Sequence, residues 1–373
     1  TGIGINADNA LNLSVNTLTI TTTVGAAFIT EANGIGLGTV DVVDNELNLR
    51  AILGDITDNT SVVTAGVTTL TVSEDGAAIG ANGTEINTRA DGELTALAST
   101  GDGGIFISQT VESLILGAVT AAGGDVEITG TETIGTTSGD DITGADITLT
   151  LAADKLLTVD ADTSITGTGD VTLISDEMDL NSTGGDLIKG GTTLTLRAVE
   201  NETLLKIGTA ADATGTDGAG TLGFDAEDIA ALDDSSGAIV FGSAAIHGVT
   251  TITAGGATVT INAPLTIFSD AFGFEADDDA LVTDSTLTLD AEGAITDFTG
   301  DDEKTDITAT AFTIADSTGI GTDADNALNL SVDNLTITTT SGNAFITEAN
   351  GIGLGTVNVV ANAFQDRVPM FFI

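Results

Sequence analysis

Chemistry needs titratable, nucleophilic or metal-binding side chains, and here these are almost all carboxylates. The chain has 56 acidic residues against 8 basic ones, a single histidine and no cysteine. Acidic residues gather at Asp140 and Asp141, at Asp225, Glu227 and Asp228, and at Asp233 and Asp234. Further clusters are Glu275, Asp277, Asp278 and Asp279, then Asp301, Asp302 and Glu303. Ca2+ takes about six to eight oxygen ligands, and a loop with three carboxylates supplies part of that shell. Asp225, Glu227, Asp228, Asp277, Asp278, Asp279, Asp301 and Asp302 are therefore the candidate Ca2+ ligands. They are weak candidates, because no cluster follows the EF-hand loop or the Gly-Gly-x-Gly-x-Asp nonapeptide. A solvated, charged face explains the same clusters without an ion.

Other chemistries find less. His247 has no second histidine and no cysteine to complete a zinc set or a serine triad. The Gly34, Gly36, Gly38 string lacks the Lys-Ser/Thr and the helix of a phosphate loop, so it reads as turn glycines. Paired carboxylates cleave glycosidic bonds in some enzymes. Sugar-cleaving solenoids usually add aromatic platforms and basic residues, whereas this chain has no Trp or Tyr. Rows of Thr-x-Thr would suit an ice-binding face, but they do not hold one position from coil to coil. The expectation is no enzyme, no catalytic residue and no cofactor except Ca2+.

The elements that would carry these residues are repetitive. Residues 1–43 recur at 318–360 without a gap, and the copies differ only at positions 5, 6, 16, 17, 24, 26 and 41 of the first. Self-similarity at a fixed period decides a fold before any other feature. A degenerate third copy, at 79–108, aligns with 320–347 after a two-residue insertion. Within the period, short alternating runs such as DVEIT, DITLTL and DVTLI begin their apolar positions at Val126, Ile147 and Val171, with Leu194 next. Alternation with period two puts one set of side chains inward and the other outward. Only 2 Pro and 47 Gly occur, with abundant Thr, Ile, Val and Leu, a composition of short strands and tight turns. Residues 225–232 are the one stretch that reads as a helical turn. Coils of roughly 20–24 residues, each paired to the next, satisfy this pattern. Roughly 17 coils at ~4.8 Å per strand make a rod on the order of 80 Å long.

A formal charge of −48 excludes nucleic acid as a partner and argues against an anionic membrane surface. No apolar run approaches the ~18 residues of a membrane span. Along such a rod the charge is roughly one unit per 1.7 Å, so lateral packing calls for salt or divalent cations.

Several phrases resemble the repeats of giant filamentous-haemagglutinin-like bacterial surface proteins. They are GGIFIS at 103–108, NAFITEANGIGLGTV at 343–357, the stretch 175–208, LGFDAEDIAALDDSSGAIVFG at 222–242 and INAPLTIFSD at 261–270. The likeness extends over nearly all of 1–360. It implies an all-β, right-handed single-stranded parallel β-helix, secreted to the bacterial cell surface as an adhesin or extracellular fibre. No catalytic or binding residue carries over. The expected organisation is one continuous solenoid over 1–360, a piece of a longer polypeptide. A non-repeat tail at 361–373 follows, a cap, a true C terminus or an artefact. Two functions compete: an adhesin stalk that meets a host or neighbouring-cell surface through an absent tip, and a filament that assembles laterally or end to end with its acidic faces bridged by Ca2+.

Overall fold

In a computed structural model the chain is an all-β parallel solenoid of about 14 turns, with 58% of residues in strands and almost no helix. The structure describes residues 2–58, 62–181, 185–201, 203–208, 220–252, 258–274, 280–297, 304–323, 326–360 and 364–367. The tail at 361–373 falls largely outside them. Two compact units divide the chain, the first holding residues 1–175 and 180–191, the second 176–179 and 192–373.

In the first unit a turn is built from three short strands. Val126–Gly130, Ile134–Thr136 and Ile142–Gly144 make one turn, and Ile147–Leu151, Leu156–Val159 and Ile165–Gly167 make the next. Val126 stands on Ile147 and Ile147 on Val171, so the apolar spacing seen in the sequence is the turn length. Beside it run Ile107, Ile128, Leu149 and Leu173, all with no exposed surface. The intervening Glu127 and Thr148 are half-buried. Fully burying a side chain of this size contributes ~1.5–3 kcal/mol, and the parallel ladder satisfies the backbone of each turn through its neighbours.

The second unit keeps the pattern with one departure. Ile239 stacks on Leu194 and Thr250 on Leu205, steps that take in about two turns' worth of sequence. The intervening chain makes an excursion. Thr221–Phe224 lies beside Leu204–Ile207, and the helix α1 (Ala226–Ala231) follows. Phe224 meets Phe241 edge-on at 5.0 Å and helps close the excursion over the core. Steps at the long end of the range occur in both units, as from Thr68 to Leu94 in the first and from Leu287 to Phe312 and Leu281 to Ile307 in the second. The excursion and these steps bring the count to about 14 turns and not roughly 17.

The duplicated stretch folds the same way twice. In the first copy β1 (Leu11–Leu13), β2 (Thr17–Thr21), β3 (Ala27–Glu31) and β4 (Ile35–Ala51) place Leu11 on Ile29 and Leu18 on Leu37. In the second copy Leu328 lies on Ile346 and Leu335 on Leu354, each one period later, with the same register slip after the second pair. Gly4 and Gly321 take the same left-handed backbone, at φ +70° and +63°. A Cβ there would lie 2.7 Å from the Phe28 carbonyl oxygen or 2.9 Å from that of Phe345, so only glycine fits.

Candidate functional site

The carboxylates nominated for Ca2+ fall into two groups. Asp277, Asp278, Asp279, Asp301 and Asp302 lie outside the described residues. Asp225, Glu227 and Asp228 open α1, where a capping box forms. The Asp225 carboxylate accepts the Glu227 and Asp228 N–H groups at 2.7 and 3.1 Å, and the Asp228 carboxylate accepts the Asp225 N–H at 2.8 Å. Acidic residues belong there because four N–H groups at a helix start lack partners within it. The Gly34–Gly38 string is largely extended strand within β4 and presents no helix to a phosphate.

The structure assembles a cluster that near-neighbour spacing conceals. His247, Asp270 and Glu292 follow one another at turn-length intervals and come together in the second unit. The imidazole is 9% exposed; Nε2 is 3.2 Å from Asp270 Oδ1 and 3.7 Å from Glu292 Oε1. Nδ1 donates to the Ser243 carbonyl oxygen at 2.8 Å when it carries the hydrogen, and this leaves Nε2 facing the two carboxylates. Protonated, the ring is a cation between two anions. Neutral, it forms with them a set of one nitrogen and two oxygens within 4.8 Å of each other, which are ligand types that suit a divalent metal. Asp290 and Asp316 border the same groove. Burial, then the neighbouring Asp316, raises the Asp290 carboxyl above its usual range, while His247 opposes the rise. The missed signal is turn spacing: His247 looks isolated among its near neighbours in sequence, whereas a solenoid brings together residues a full turn apart.

A second kind of site is a buried polar clamp at the strand corner of each copy. The Glu31 carboxylate accepts the Val15 N–H at 3.1 Å and the Asn33 N–H at 3.3 Å. Glu348 accepts those of Val332 and Asn350 at 3.3 and 3.2 Å. Asn33 Nδ2 donates to Ser14 at 3.1 Å, and Asn350 Nδ2 to Ser331 at 2.8 Å. Directly after the degenerate copy Gln109 takes the corresponding position, accepting the Ala90 N–H at 3.2 Å and returning a bond to the Ala90 carbonyl at 3.0 Å. Three separate corners thus place a side-chain acceptor under an N–H that has turned out of the ladder.

Equivalent residues of the two copies differ in burial. Leu11 and Val15 are 45% and 39% exposed in the first copy, while their equivalents Leu328 and Val332 are 0% and 3% exposed in the second. Among the described residues no helix is long and apolar enough to cross a membrane. Fold and geometry together define a β-solenoid repeat protein. Comparison with protein-family models, curated proteins and solved structures finds no match.

Proposed function

We propose that the chain is a structural segment of a long, repetitive fibre secreted to a bacterial cell surface, serving as an adhesin stalk without catalysis. The observation that carries this reading is the duplicated stretch. The copies at 1–43 and 318–360 adopt the same pairing register and the same buried clamp, so the chain runs into its own next period. A protein whose unit is a stack of turns grows longer by duplication without a new core. The acidic surface supports display in solvent, and the resemblance to haemagglutinin-like repeats supports the extracellular setting. The −48 charge keeps neighbouring fibres apart unless cations intervene, which is where Ca2+ would act.

Electron microscopy of native material, with and without a Ca2+ chelator, tests this. Thin single fibres projecting from cells in both conditions are expected of a stalk. Bundles that fray on chelation would transfer the function to a Ca2+-bridged filament or sheath. Compact particles in either condition would overturn the fibre reading.

A further inference from the structure

The chain's single histidine heads a column of side chains at one corner of three successive turns. Thr250 stands on Phe272 and Phe272 on Ile295, and each of these strand residues follows a member of the column by two or three positions. The members are His247, Asp270 and Glu292. Ladder bonds hold their backbones in step: the Asp270 N–H donates to the Gly248 carbonyl at 2.9 Å, and the Glu292 N–H to the Ser269 carbonyl at 3.0 Å. The His247 N–H donates to Asn201 Oδ1 at 3.1 Å, which ties the corner to the preceding turn. A carbonyl oxygen can only accept, so the 2.8 Å contact with Ser243 places the imidazole hydrogen on Nδ1. The Nε2 lone pair then faces two carboxylates, an arrangement that calls for a proton or a metal ion between them. Among the described residues, the groove beside it is lined by Asp290, Glu292 and Asp316 and by no lysine or arginine.

We propose that His247, Asp270 and Glu292 bind one divalent metal ion of the Zn2+ class, which staples three successive turns just beyond the excursion. Bonds of ~2.0–2.2 Å to imidazole nitrogen and carboxylate oxygen, at tetrahedral angles, set ligand atoms roughly 3.4 Å apart. Nε2 already lies 3.2 Å from Asp270 Oδ1 and 3.7 Å from Glu292 Oε1, so coordination asks for only small side-chain movements. Glu292 is exposed and can supply them. The bond from Nδ1 to Ser243 fixes the ring, as the outer partner of a metal-bound histidine does. One nitrogen with two oxygens disfavours Ca2+, which takes about six to eight oxygens, and favours a metal that accepts imidazole. Three protein ligands leave a fourth position for water. The staple acts within one chain, so it is independent of any cation that bridges neighbouring fibres.

The experiment uses a polypeptide of residues 1–373 with no added histidine, stripped of metal by a chelator. It is held above the ordinary imidazole pKa of ~6.5 so that a proton does not compete. Because the chain has one histidine, 15N NMR of the imidazole reports on this site alone. One equivalent of Zn2+ is expected to shift the Nε2 resonance while Nδ1 keeps its hydrogen, and the melting temperature should rise with Zn2+ concentration. The same amount of Ca2+ should leave the ring in place. Glu292→Gln alters an exposed side chain and spares the fold. It should weaken Zn2+ binding, read by calorimetry, at least as much as the ~10–100-fold loss seen when an outer partner is removed. Asp270→Asn should do the same. The proposal is overturned if one equivalent of Zn2+ leaves Nε2 unmoved, as uptake by scattered surface carboxylates would. It is overturned equally if both variants bind Zn2+ as the unaltered chain does, or if Ca2+ shifts the ring as strongly as Zn2+. The staple goes beyond the fibre reading, and fibres on cells with an unresponsive histidine would remove it and leave that reading intact.

Discussion

At the level of single residues the solenoid depends on side chains that finish hydrogen bonds the ladder cannot. Glu31, Gln109 and Glu348 sit at equivalent corners, and the presence of Gln in one shows that an acceptor oxygen is required and a charge is not. Glu348→Gln should therefore change stability little. Glu348→Ala leaves the Val332 and Asn350 N–H groups without this acceptor and should cost about 1–3 kcal/mol by denaturant titration. Asp306 gives a pH signature. Its carboxylate accepts the Asn329 N–H at 2.8 Å, but burial outweighs that bond, and with nearby Asp297 it pushes the pKa up to about 7. The folded pKa is thus above the ordinary 3.8, so the folded chain holds the proton longer. The associated stability is complete below the unfolded value and is lost as pH rises toward about 7. Relative to Asp306→Asn, wild type should lose on the order of 2–3 kcal/mol between about pH 5 and about pH 8. Equal pH profiles for the two proteins would refute the assignment.

At the level of elements, much of the architecture can be read from spacing. The run from Val126 to Ile147 to Val171 predicts its own stacking, because strand alternation and a constant turn length leave one register that keeps every apolar side chain inside. Ile128 lies in the middle of such a column with no exposed surface. Ile128→Ala should cost ~2–5 kcal/mol, against roughly 0.5 kcal/mol or less for Thr148→Ala on the outer face. What spacing does not reveal is the long step from Leu194 to Ile239. Leu204–Ile207 carries the same alternation as any ladder strand, and nothing local shows that Thr221–Phe224 will lie beside it. The helix is legible from Asp225, Ala226 and the apolar Ile229, and its carboxylates read as easily for Ca2+ as for caps. Asp225→Ala should lower stability by about 1 kcal/mol through loss of the cap. His247 is the least legible. Its partners Asp270 and Glu292 become visible only after the turn length is applied to a lone residue.

For the whole molecule, the repeat makes one sequence serve as its own control. A solenoid's turns draw their stability from adjacent turns, so identical residues should differ in stability when one copy is covered and the other is not. The surplus negative charge acts on all turns alike, and raising salt from ~0.05 to ~0.5 M should increase the melting temperature by screening it. The most direct measurement is amide hydrogen exchange on a polypeptide of residues 1–373, comparing residues 11–21 with 328–338. Of these two segments, only the second lies against described strands on both sides. The stacked-turn account predicts slow exchange in 328–338 and markedly faster exchange in 11–21, despite near identity of sequence. Equal protection in both segments would contradict it, because each copy would then be holding itself together without its neighbours.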